Sequence, residues 1–116
     1  MSRALAAAVL AGLVSAPATA APPARLQVVA REFSFALSRP KLTAGPATVE
    51  LLNLGQDAHD LRLRRVGGTR TYAIPVVQAG RHAALRARLR PGRYRLWCSV
   101  ADHRALGMRA VLVVHR

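Results

Sequence analysis

A single cysteine, Cys98, occurs in this 116-residue sequence, which rules out a disulfide within the chain. Acidic side chains are scarce as well, with 5 Asp and Glu against 18 Lys and Arg and a net charge of +13. Lys41 is the only lysine, so that charge is almost wholly arginine. Heavy use of arginine and alanine is also what a GC-rich genome produces, so not all of the charge needs a function. Aromatic residues make up only 4%, too few for the base-stacking platforms of single-strand binders. Nucleic acid is therefore not an expected partner, whereas an acidic protein or an anionic surface is. Amphipathic helical stretches and internal repeats are absent. No apolar run approaches the roughly 20 residues that cross a bilayer.

The first 20 residues read as an export leader. Arg3 gives a short positive start, residues 4–14 form an apolar run, and Ala18-Thr19-Ala20 is the small-x-small pattern of a cleavage site. Cleavage is expected after Ala20, and no cysteine lies nearby to carry a lipid. The expected organisation is a signal peptide over 1–20, a linker over 21–25 containing Pro22 and Pro23, and one domain over 26–116. A periplasmic or secreted product, monomeric and not inserted in a membrane, follows. Export also sharpens the question of Cys98, because a lone thiol in an oxidising compartment needs a reason. Burial, an intermolecular disulfide and a bound metal are the candidates.

Beyond the linker, apolar and polar residues alternate with the period of half-buried strands, broken by glycine and proline turns. Leu26, Val28 and Ala30 share one phase and Phe33, Phe35 and Leu37 the other, which predicts a long first strand with a bulge near Arg31. Further strands are expected over 48–53, from His59 to Arg64, over 82–89, 93–98 and 110–115. One over 70–77, interrupted by Pro75, should lie at an edge. About seven strands at these intervals predict an all-β, two-sheet antiparallel Greek-key sandwich.

Cys98, His103 and Met108 stand at C-x4-H-x4-M in one loop between two of these strands. His59 opens a strand directly after the loop "LGQDA" and faces the same interior as Leu61 and Leu63. Taken singly, Cys98 and Met108 read as core residues and either histidine as an ordinary hydrogen-bonded one. Together they offer a thiolate, a thioether and two imidazoles, the set that suits both Cu(I) and Cu(II). A trigonal His2Cys arrangement with a weak axial methionine performs electron transfer without binding a substrate.

Across the predicted domain, "NLGQDAHDL" and "GRYRLWCSVADHRALGM" carry a resemblance to the cupredoxins, the small blue copper proteins. The loop spacing is most similar to the rusticyanin, auracyanin and sulfocyanin type. The resemblance implies one type 1 copper at one end of a Greek-key sandwich, held by His59, Cys98, His103 and Met108, with the Ala58 carbonyl a candidate fifth contact. It also implies one-electron transfer through the exposed edge of His103. Asp60 and Ser99 stand where the family pairs an asparagine with the residue after the cysteine, and a carboxylate accepting from the Ser99 hydroxyl or amide does the same work. Ala101-Asp102 and Arg109-Ala110 depart from the family's Pro-Gly and its glycine after the methionine.

No nucleophile, phosphate loop or paired-carboxylate motif supports an enzyme. Asp57, Asp60 and Asp102 read as loop-shaping acceptors, His82 and His115 as surface residues, and Trp97 as an outward aromatic beside Arg93 and Arg95. The expected function is electron carriage between redox partners such as an acidic cytochrome or oxidase domain. The alternatives are a periplasmic protein for copper storage, delivery or resistance, and a metal-free sandwich for adhesion or assembly.

Overall fold

The computed structural model describes residues 2–16 and 21–116. Residues 2–16 are exposed and have no regular secondary structure, and the expected cleavage motif at 18–20 lies outside the described residues. Among the described residues, no helix is long and apolar enough to cross a membrane.

Nine strands follow: β1 (Ala24–Arg31), β2 (Ser34–Leu37), β3 (Lys41–Thr43), β4 (Gly45–Asn53), β5 (His59–Arg65), β6 (Thr71–Val77), β7 (His82–Leu89), β8 (Gly92–Trp97) and β9 (Arg109–His115). A single helical turn, α1 (His103–Leu106), precedes the last strand. The strands form two sheets, ordered β2-β1-β4-β7 and β3-β9-β8-β5-β6. Two packed sheets are the expected sandwich. It gains β2 and β3 over the expected strand set, and two of its pairings, β1 with β4 and β3 with β9, are parallel. Parallel neighbours need crossover connections, and here the chain crosses between the sheets to make them.

Alternation explains the core. Ala47, Val49, Leu51 and Asn53 of β4 point inward, as do Leu61 and Leu63 of β5, Tyr94 and Leu96 of β8, and Leu112 and Val114 of β9. Successive side chains of a strand face opposite sides, so one apolar face of each sheet closes on the other. The phase change near Arg31 is not a bulge in one long strand. The chain reverses at Glu32 and Phe33, and β2 runs back along β1 with Val28 opposite Leu37 and Ala30 opposite Phe35. Residues paired in this way share a face, which puts both phases on the inner side. The first strand also starts earlier than expected, at Ala24. Pro75 lies in β6, an edge strand, where a missing N–H costs no ladder bond.

This topology decides where the chemistry gathers. The strand β8 lies between β9 and β5 and is antiparallel to both, with Trp97 opposite Arg62 on one side and Arg109 on the other. The residue that leaves β8, Cys98, therefore sits beside the residue that opens β5, His59, and beside Met108, just before β9. Leu63, fully buried in β5, ties that strand to the core. Leu63→Ala should lower stability by about 2–5 kcal/mol in urea denaturation, and a loss below about 1 kcal/mol would mean that the core is not closed around it.

Candidate metal centre

The loop of residues 98–108 is held in shape by its own backbone. Cys98 N–H donates to the Met108 carbonyl at 3.1 Å, and Met108 N–H donates to the His103 carbonyl at 3.0 Å. Gly107 ends α1 at φ 128, and a Cβ there would lie 2.9 Å from the Phe33 carbonyl. Glycine meets both demands. Ala101 takes a left-handed φ of 44, a conformation that residues with a side chain disfavour.

His59 and Cys98 are fully buried and His103 is 6% exposed. The Nδ1 atoms of the two histidines are 3.2 Å apart and the Cys98 Sγ is 3.6 Å from His103 Nδ1. One donor atom from each of the three residues lies within 4.8 Å of the others. Nitrogen and sulfur donors sit about 2.0–2.3 Å from a first-row ion, so these separations suit three atoms sharing one ion. Met108 is fully buried in the same core, with its backbone tied to both Cys98 and His103. Three of the four residues singled out in the sequence thus bring donor atoms together, and Met108 lies beside them through its backbone. Burial pushes the Cys98 thiol above its ordinary pKa, which disfavours a bare thiolate.

Around the donors lies a layer of polar supports. Asp60 is buried, with 4% exposure. It accepts from the Ser99 amide at 2.6 Å and from the Ser99 hydroxyl, so its carboxylate binds the start of β5 to the residue after Cys98. Its Oδ2 also stands 3.7 Å from Nε of Arg62, an exposed residue two positions along the strand. The Asp57 carboxylate stands 3.7 Å from His103 Nε2. Asp102 precedes α1 but makes no side-chain cap.

Three supports were not found from the sequence. Glu32, in the β1–β2 turn, accepts with Oε1 from the amides of Gln56 at 2.8 Å and Asp57 at 2.6 Å and faces His59 Nε2 at 3.1 Å. The Asp57 amide, chiefly, holds the Glu32 carboxyl down at about 2. Phe33, beside it, packs its ring on His103 with centroids 4.9 Å apart. Asn53 is fully buried; its Nδ2 donates to the carbonyls of Asp57 and Val77 at 2.8 and 2.9 Å, and its Oδ1 accepts from the Gly55 amide at 2.9 Å. A polar residue at an inward strand position was the one available signal for Asn53. Nothing local marks Glu32 or Phe33. Elsewhere, His82 and His115 are exposed as expected. Trp97 is half-buried, and the guanidinium over its ring, 4.8 Å from the centroid, is that of Arg104.

No protein-family profile matches the chain, and no curated protein matches it in sequence. Solved structures match it in fold. An auracyanin from Roseiflexus castenholzii has a TM-score of 0.65 and 16% identity, covering 79% of this chain and 97% of its own. Auracyanin A from Chloroflexus aurantiacus, described as a "blue" copper protein, gives 0.65 and 17%, covering 81% and 100% respectively. A reduced amicyanin variant gives 0.56 and 21%, covering 77% and 80%. The chain therefore has the cupredoxin β-sandwich fold.

Asn53→Ala would leave the Asp57 and Val77 carbonyls without their donor. It should cost at least about 1–3 kcal/mol, the penalty of one unsatisfied buried group, and speed amide exchange across residues 54–58. Unchanged exchange in that loop would show that Asn53 does not brace it.

Proposed function

We propose that this chain is an exported one-electron carrier with a single type 1 copper, held by His59 and His103 through Nδ1, by Cys98 as thiolate and by Met108 as the axial thioether. The carrying observation is the convergence of two imidazole nitrogens and one sulfur, all buried, at the end of a cupredoxin sandwich. Copper bound there would supply one-electron chemistry, cycling between Cu(II) and Cu(I). The chain's own part is to hold the donors still and keep water away, so that neither oxidation state requires movement. His103, at 6% exposure, has the more open edge of the two histidines and is the proposed electron port.

A carrier suits the site better than an enzyme does. Buried donors with one narrow edge leave no room for a substrate beside the ion. A cleft lined by Arg65, Arg70, Tyr72, Arg88 and Tyr94 opens where β5 ends, at the opposite end of that strand from His59. The leader-like residues 1–20 support export to the periplasm or outside the cell.

Charge supports an acidic redox partner. Arg62, Arg64, Arg93, Arg95 and Arg109 are exposed on the outer face of the five-stranded sheet, with Trp97 paired between Arg62 and Arg109. Arg104 carries this basic face up to His103. Steering by such a face raises association rates at low salt, and the Debye length shrinks to about 8 Å at physiological ionic strength.

Adding Cu(II) to the purified metal-free protein should produce an intense blue colour, and Cys98→Ser should abolish it. A colourless wild-type protein would overturn the copper reading. Rapid electron self-exchange is expected of the carrier, and ready transfer of copper to an acceptor protein instead would favour storage or delivery. The rate of electron transfer to an acidic cytochrome should fall steeply as salt rises, whereas indifference to ionic strength would remove the arginine face from partner binding.

A further inference from the structure

Each imidazole of the centre turns one nitrogen inward and the other outward, and the outward nitrogen of His59 ends on a carboxylate. Glu32 reaches it from the β1–β2 turn, far away in sequence, with Oε1 3.1 Å from Nε2. The same oxygen accepts from the amides of Gln56 and Asp57, so Glu32 grips the loop leading to His59 as well as its ring. Gly55 leaves room for this grip, since a Cβ there would lie 2.5 Å from the Glu32 carboxylate. Asp57 holds a weaker version of the position on His103, at 3.7 Å and with 51% of its side chain exposed.

An ionised carboxylate only accepts hydrogen bonds. Nε2 must then carry the proton of a neutral His59, and Nδ1 faces inward with a bare lone pair. We propose that Glu32 is a positioning residue for the metal: it fixes His59 in the Nε2–H tautomer before the ion arrives, and its negative charge behind the ring favours the oxidised ion over the reduced one. The inference rests on the copper reading for its second half only. A fixed anion stabilises a doubly charged ion more than a singly charged one, and a carboxylate behind a ligand histidine raises its basicity.

Two variants separate shape from charge. Glu32→Gln keeps an acceptor oxygen and removes the charge, while Glu32→Ala removes both. In the metal-free wild-type protein, nitrogen-15 NMR should find His59 protonated on Nε2 and bare on Nδ1. Glu32→Gln should retain that tautomer, and Glu32→Ala should lose it. In the copper-loaded protein, Glu32→Gln should shift the Cu(II)/Cu(I) equilibrium about tenfold toward Cu(I), which for one electron is a rise of about 59 mV in potential. Glu32→Ala should weaken copper affinity by about 10–100-fold. A wild-type His59 protonated on Nδ1, or a Glu32→Gln potential equal to that of the wild type, would overturn the proposal. Should the wild type bind no copper, the function proposed above fails while the metal-free spectrum still decides the tautomer. Should Glu32→Ala not fold, the wild-type spectrum decides the tautomer and Glu32→Gln the potential.

Discussion

Two imidazole nitrogens and a sulfur are pressed together inside the apolar end of this sandwich, and the rest of the structure has to hold them there. Polar atoms taken out of water without partners are costly, and three electron-rich donors facing one point gain little from each other. Burial raises the Cys98 thiol and so works against the charged form that a metal needs. A cation bound there would remove the conflict, compensating the sulfur and satisfying both nitrogens at once. The site is therefore stable as a binding place only if the surrounding backbone prevents the donors from drifting apart.

That restraint comes from three chain segments that meet from different parts of the sequence. The 98–108 loop closes on itself through Cys98, His103 and Met108. Asn53 fixes the 54–58 loop from below, and Asp60 ties the start of β5 to Ser99. The β1–β2 turn lies against both histidines, with Glu32 on one and Phe33 on the other. Each brace uses groups that are hydrogen-bonded or packed, so the buried polar layer adds rigidity without orphaned atoms. Charge is divided in the same way. Four of the five acidic residues, Glu32, Asp57, Asp60 and Asp102, lie around the centre, while arginine covers the sheet faces.

Much of this was legible along the chain because it is local. Alternation located β4, β5, β7, β8 and β9 to within a few residues, since a strand's burial pattern has a period that the sequence must repeat. The C-x4-H-x4-M spacing put three candidate donors in one loop before any pairing was known. The hairpin of β1 and β2 was misread as one bulged strand because a phase change looks the same whether the chain bends or reverses. Alternation likewise could not show that Asp60 is buried, because the donors its carboxylate binds belong to Ser99, 39 residues away.

Residue chemistry and spacing alone fixed the all-β class, the inward faces of most strands and the four candidate ligands, because strand period and donor type are properties of neighbouring residues. Tertiary structure alone decided the nine-strand order, the two parallel pairings and the meeting of His59 with Cys98 and His103. It also decided that Glu32, Phe33 and Asn53 would stand behind those ligands. These are contacts between segments remote in sequence, made when two twisted sheets close on one core, and no local pattern records which distant side chain will arrive at a given nitrogen.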